Sequence, residues 1–316
     1  MTPAIRVLVN PKAGAGRALR QLPAVERALK KRGLAYDVVR TGGPGEAARL
    51  ARGAATAGVE TLLVLGGDGT LHETVQAYAD DEGRPLPGPA ILPLACGTGC
   101  DYRRTFGVPD DAEGALRLLT EGHARPVDLG LAQLADHQGR PRQQVFVNIT
   151  SFGVGGLADQ LVNRTPKWLG GRVSFLLATG LALARYRNAR VAVAVDGDEI
   201  YRGPAFNTAV AIGRYFGGGM HIAPHADPGD GLFDVVLLGD LGKLSVVALT
   251  GDIYGGAHLG RPGIITRRGR LVEATPLEHD EVLIDMDGET PGRLPLRLEL
   301  LPSALRIWQK PGATKR

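Results

Sequence analysis

The residues best suited to chemistry begin with a short acidic glycine turn, Gly66-Gly67-Asp68-Gly69-Thr70. It lies between an apolar run, Thr61–Leu65, and a stretch of helical spacing over Thr70 to Ala79. Adjacent glycines let backbone amides approach an anion closely and permit positive φ. A helix N-terminus behind them adds unpaired N–H groups and partial positive charge, so phosphate suits this position. Asp68 is unfavourable beside phosphate unless a cation accompanies it, which points to Mg²⁺. The plainer alternative is a tight strand-to-helix turn capped by Asp68. Three more loops follow strand-like runs: Asn10-Pro11-Lys12-Ala13-Gly14, Thr41-Gly42-Gly43 and Gly97-Thr98-Gly99. Such loops gather at the carboxyl edge of an open parallel sheet, where these folds bind ligands. No Gly-x4-Gly-Lys-Ser/Thr sequence occurs, and Gly14-Ala15-Gly16 lacks the third glycine of a dinucleotide fingerprint.

A second acidic group, Asp287-Gly288-Glu289, follows the apolar run Val282–Met286. On its own it reads as a hairpin turn, because Asp-Gly is a strong turn signal. Asp227 and Asp230 lie in another acidic turn. His72 reads as a capping or packing histidine. Arg185-Tyr186-Arg187 with Arg190, and Arg267-Arg268-Gly269-Arg270, are basic clusters that suit either a solvated face or anionic lipid headgroups.

The elements that must position these groups change character along the chain. Up to about residue 121, strand-like runs at Ile5–Val9, Tyr36–Arg40, Thr61–Leu65 and Ala90–Leu94 alternate with helical stretches. That alternation predicts an α/β domain with a parallel sheet. After Pro126, strand-like runs at Val145–Thr150, Val191–Val195, Ala205–Ile212, Phe233–Leu238, Val282–Met286 and Leu296–Leu301 predict a mainly antiparallel β domain. Helical interruptions fall at 155–163, 171–188 and 242–251. The expected domains are 1–127 and 128–316, with the last residues packing back on the first.

Taken in order, Asn10-Pro11 with Gly14, Gly66 to Thr70, and Pro93-Leu94 with Gly97-Thr98-Gly99 resemble the catalytic domain of diacylglycerol kinase-type lipid kinases. That family includes sphingosine and ceramide kinases. The resemblance continues through Phe146-Val147-Asn148, Gly217-Gly218-Gly219-Met220 with Pro224, Asp230-Gly231-Leu232-Phe233-Asp234 and Asp287-Gly288-Glu289. It implies an ATP- and Mg²⁺-dependent lipid kinase with its active site in a cleft between two domains. Asn10, Pro11, Lys12, Ala13, Gly14, Thr41, Gly66 to Thr70, Leu71, His72 and Thr98 would line the ATP site. Glu289 would be the general base, with Asp287 beside it and Asp68 at the metal. Asp227, Asp230 and Leu232 would hold a second, structural cation. The family usually reads Gly-Thr-x-Asn-Asp-Phe where this chain has Gly97-Thr98-Gly99-Cys100-Asp101-Tyr102, so Cys100 replaces an amide. The rivals are an NAD kinase-like enzyme, a catalytically silent lipid-binding regulator, and a nucleotide-binding structural domain.

Composition limits the partners. Apolar residues make up 44 %, as in globular proteins, and aromatics only 5 %, too few for a base-stacking nucleic-acid platform. The net charge of +4 is spread over both halves, and the only cysteines are Cys96 and Cys100, which excludes a disulfide framework. The longest apolar run, Val173 to Ala184, falls short of the roughly 20 residues a bilayer needs. The expectation is a cytoplasmic protein that visits the inner face of an anionic membrane for a lipid substrate and binds no nucleic acid.

Overall fold

The computed structural model describes residues 4–96, 99–156, 186–278 and 281–310. These fall into two compact units. The first holds the chain up to Leu129, the return segment Asp227–Asp230 and the chain from Leu301 onward; the second holds Gly130–Ala226 and Gly231–Leu300.

In the first unit, β1 (Ile5–Val9), β2 (Tyr36–Arg40), β3 (Thr61–Gly66) and β4 (Ala90–Ala95) form a parallel sheet in the order β4-β3-β1-β2. Leu8, Leu62, Leu63, Leu65, Ile91 and Leu92 are fully buried, as expected for parallel strands covered on both faces. The covering helices are α1 (Arg17–Lys31), α2 (Glu46–Thr56), α3 (Asp68–Val75), α4 (Asp101–Thr105) and α5 (Ala112–Glu121). α5 starts where Asp111 accepts a hydrogen bond from the Gly114 amide at 2.7 Å, a side-chain N-cap.

The second unit is antiparallel. Its strands are the end of β5 (His123–Ala135), β6 (Pro141–Phe146), β7 (Ile149–Gly153), β8 (Ala189–Val195), β9 (Asp198–Ala205), β10 (Asn207–Ala211), β11 (Phe233–Leu238), β12 (Ile264–Gly269), β13 (Leu271–Pro276), β14 (Leu283–Met286) and the start of β15 (Glu289–Gln309). The main path runs β12-β11-β10-β7-β14-β15, with β8, β9 and β13 branching from it. Among the described residues, the helix α6 (Lys243–Gly255) lies with them. Two predicted strands divide. Val145–Thr150 bends at Val147 and Asn148, whose amides both donate to Asp287. Ala205–Ile212 breaks at Phe206, whose amide turns to the Leu238 and Gly239 carbonyls. The helices expected at 155–163 and 171–188 lie almost wholly outside the described residues.

The last strand returns to the first sheet. Ile307 of β15 pairs in parallel with Ile91 of β4. Asp128, fully buried, accepts the Ser303 amide at 2.8 Å, and its own amide donates to the Pro228 carbonyl at 2.7 Å. Three stretches of chain distant in sequence therefore complete the first unit.

Candidate active site

The strands β1, β3 and β4 are mostly apolar, and small or polar residues follow each of them: Asn10, Gly67-Asp68 and Cys96. The strands therefore end together, and the loops after them meet. The Asn10 side-chain amide donates to the Thr70 hydroxyl at 2.9 Å, tying the first loop to α3, and Asn10 Oδ1 accepts the Lys12 amide at 3.0 Å. Gly14 has φ of +57°, and a Cβ there would stand 1.8 Å from the Cys96 carbonyl oxygen. Only glycine allows this contact between the β1 and β4 loops. Gly66 is required for space and not for positive φ: a Cβ would lie 2.5 Å from the Thr70 side chain.

α3 begins at Asp68, two residues earlier than its sequence spacing suggests. Asp68 thus occupies the first turn, where the helix N-terminus favours negative charge. Its Oδ2 also faces the Asp101 amide at 3.4 Å. Asp68 consequently tolerates its place better than the sequence argument allowed. What adds negative charge is a second carboxylate that the sequence reading did not single out. A Cβ on Gly99 would lie 3.1 Å from Asp68 Oδ2 and 3.7 Å from Asp101 Oδ2, so both carboxylates converge over this glycine. Arg104 balances Asp101 through a 3.1 Å ion pair. Arg103 is turned to Asp110 and the Val108 carbonyl. Mg²⁺ fits this donor chemistry, since hard oxygen ligands from a carboxylate, loop carbonyls and phosphate are what it takes. Asp68 and Asp101 are the residues that would hold it, directly or through water.

Cys100 caps α4 with φ of +50°, a left-handed conformation in which Asn is favoured among side-chain-bearing residues. The amide of the family pattern is thus matched to backbone geometry, and Cys100 keeps that geometry under strain. Residues Gly66–Asp68, Pro93–Ala95, Cys100 and Tyr102 enclose a cavity of about 20 Å³, room for about one water. Burial pushes the Cys96 thiol up to about 11, so it stays protonated at neutral pH. Pro11 and Ala13 sit in the β1 loop, Gly69 lies in the first turn of α3, and Thr41 follows β2, where its amide donates to the Val9 carbonyl. Leu71 and His72 are both buried on α3. Thr98 lies outside the described residues.

In the second unit, Asp287 and Gly288 have φ of +53° and +87°, so the Asp-Gly turn joins β14 to β15 as a two-residue hairpin. Asp287 is buried, and its carboxylate accepts the amides of Val147, Asn148 and Ile149 at 2.9–3.1 Å. Asp285, missed in the sequence reading, accepts the Gly288 amide at 2.9 Å and the Ser151 hydroxyl at 3.2 Å. Its position inside an apolar strand was the available signal. Glu289 is exposed beyond this braced turn. At the second acidic turn, the Asp227 carboxylate is already paired with Arg125, and its carbonyl accepts the Asp230 amide. Among the described residues, no three His, Cys, Asp or Glu side chains form a metal cluster.

The first unit is an α/β sheet with glycine-rich loops and a carboxylate pair at its strand ends, and the second is a β unit carrying a braced acidic hairpin. Residues 4–132 match the diacylglycerol kinase catalytic domain, and residues 148–309 match the YegS C-terminal NAD kinase beta sandwich-like domain. The chain belongs to this diacylglycerol kinase-type family. A Mycobacterium tuberculosis protein named diacylglycerol kinase is 28 % identical over 304 residues, covering 96 % of this chain and 94 % of its own. A Staphylococcus aureus protein of the same name is 26 % identical over 298 residues, covering 92 % and 87 %. Among solved structures, one from Bacillus anthracis str. Sterne superposes with a TM-score of 0.74 at 25 % identity and 98 % coverage of each chain. Yeast NADH kinase shares the fold, with a TM-score of 0.54 at 11 % identity over 97 % of this chain and 83 % of that one.

Proposed function

We propose that this protein is an ATP- and Mg²⁺-dependent lipid kinase that phosphorylates the hydroxyl of a lipid such as diacylglycerol. The observation that carries the reading is the convergence of Asp68 and Asp101 over Gly99 among loops built to receive phosphate. ATP supplies the γ-phosphoryl group, and Mg²⁺ balances charge on its oxygens. The chain's own residues do the rest. Backbone amides of the β1 and β3 loops hold phosphate oxygens. Asp68, supported by Asp101, holds the cation. Glu289 accepts the proton of the lipid hydroxyl as its oxygen bonds to the γ-phosphorus and the bond to the β-phosphate oxygen breaks. Asp287, its oxygens engaged by three amides, is a positioning residue that fixes the turn before Glu289. The protein works as a peripheral visitor to the cytoplasmic membrane face; among the described residues no helix is long and apolar enough to cross a bilayer.

Glu289→Gln tests this reading. ATP binding should survive while lipid phosphorylation falls ~10²–10⁴-fold, the usual contribution of a general base. Glu278→Gln, at a surface pair with Arg190, should leave turnover unchanged. Near-normal turnover in Glu289→Gln at saturating ATP and lipid would remove Glu289 as the base. The shared fold of NADH kinase makes NAD the competing acceptor, so NAD, diacylglycerol and sphingosine belong side by side in the assay.

A further inference from the structure

Among the described residues, four large apolar side chains are exposed, and three of them are on α6: Leu244 at 87 %, Val247 at 58 % and Tyr254 at 45 %. At 100° per residue these three fall on one face together with Ala248 and Gly251. The opposite face is engaged. Val246 and Ile253 are buried with Ile222, Ala223 and Ala226, and the Ile253 carbonyl accepts the His221 amide at 3.1 Å. The helix's one acidic residue, Asp252, lies off the exposed stripe and pairs with Arg261 at 2.8 Å. Lys243 is exposed in the first turn of α6, and just before the helix Asp240 accepts the side-chain amide of Asn188 at 2.7 Å, which brings the backbone next to the exposed Arg187 to this end of the stripe.

We infer that the outer face of α6 is a membrane-docking surface whose occupant is an anionic lipid bilayer. The inference rests on the lipid-kinase reading for its biological setting and on the exposed stripe for its physics. From Leu244 to Tyr254 the stripe is about 15 Å long and roughly 10 Å wide. That is far below the ~800 Å² per partner of a stable protein interface, so a second copy of the chain is poorly served. A bilayer needs only a few apolar side chains at the headgroup–acyl boundary with cations beside them, and an interfacial tyrosine suits that depth. The arginine clusters are weaker candidates, because Arg190, Arg267 and Arg268 face Glu278, Asp198 and Asp234. Docking through α6 places the segment under it, which leads from the Gly217–Gly219 turn through Met220 to Ala226, next to the lipid surface.

The test is co-sedimentation of the full chain with phosphatidylglycerol–phosphatidylcholine vesicles, beside the double variant Leu244→Ser, Val247→Ser. Both side chains are exposed, and an unchanged melting temperature verifies the fold. Partitioning should weaken about 10²-fold in the variant, while phosphorylation of a water-soluble short-chain diacylglycerol stays at the wild-type rate. Added salt should weaken wild-type binding without abolishing it. Tyr254→Trp should show a blue-shifted emission on adding vesicles. Equal vesicle binding by wild type and double variant overturns the proposal and leaves the kinase reading standing. So does binding that salt abolishes completely, or a dimer in solution that the variant disrupts. Absence of lipid phosphorylation with α6-dependent vesicle binding would instead sink the kinase reading and keep the docking surface.

Discussion

Asp68 carries two kinds of interaction, and they predict different losses. In the first turn of α3 it gains from the helix N-terminus, typically 0.3–1 kcal/mol. At the carboxylate pair it has the charge a cation requires. Asp68→Asn should therefore lower stability by no more than about 1 kcal/mol while turnover collapses, measured as rate per folded molecule beside thermal unfolding. Preserved turnover with a core-sized loss of stability would return Asp68 to a turn cap. Cys100 offers the opposite test. Its φ of +50° costs roughly 1–2 kcal/mol in most side-chain-bearing residues, and Asn escapes part of this. Cys100→Asn should raise unfolding free energy by about 1 kcal/mol and leave ATP affinity equal or better, read by denaturant melts and nucleotide titration.

At the scale of elements, the β14–β15 hairpin is held from outside itself. Asp287 receives three amides from the bend between β6 and β7, and Asp285 receives one from inside the turn. Hydrogen bonds to a charged acceptor contribute ~1.5–3 kcal/mol each, and losses from one carboxylate do not add. Asp287→Ala should cost about 3 kcal/mol and abolish activity. Asp287→Gly, which keeps the positive φ free of strain, should recover less than half of the lost stability. Full recovery by the glycine variant would mean that the amides contribute little and the backbone shape nearly everything. The same hairpin marks how far the sequence could be read. Asp-Gly announced the turn, but nothing near residue 287 announced that Val147, Asn148 and Ile149 would be its partners.

For the whole molecule, the chain order and the spatial order diverge. The first unit is completed by Asp227–Asp230 and by the end of β15, joined through Arg125, Asp128 and the pairing of Ile307 with Ile91. Asp128→Ala removes a fully buried acceptor shared by this junction and should cost about 2–4 kcal/mol. The loss should appear in hydrogen exchange of β4 amides before those of β10. A uniform change over both strands would contradict the role assigned to the junction.

The sequence by itself determined the α/β-then-β order, the parallel strands of the first half, the glycine loops at their ends and the Asp287-Gly288 hairpin. Each of these follows from local periodicity or from a backbone conformation that few residues adopt. Tertiary structure decided the rest. That Asp101 stands beside Asp68, that Asp287 is spent on amides, that Asp227 belongs to Arg125, and that Leu244, Val247 and Tyr254 of α6 stay exposed are all products of long-range approach. Side-chain type records which interactions a residue can make; only the packed chain selects which partner arrives and which surface is left to water.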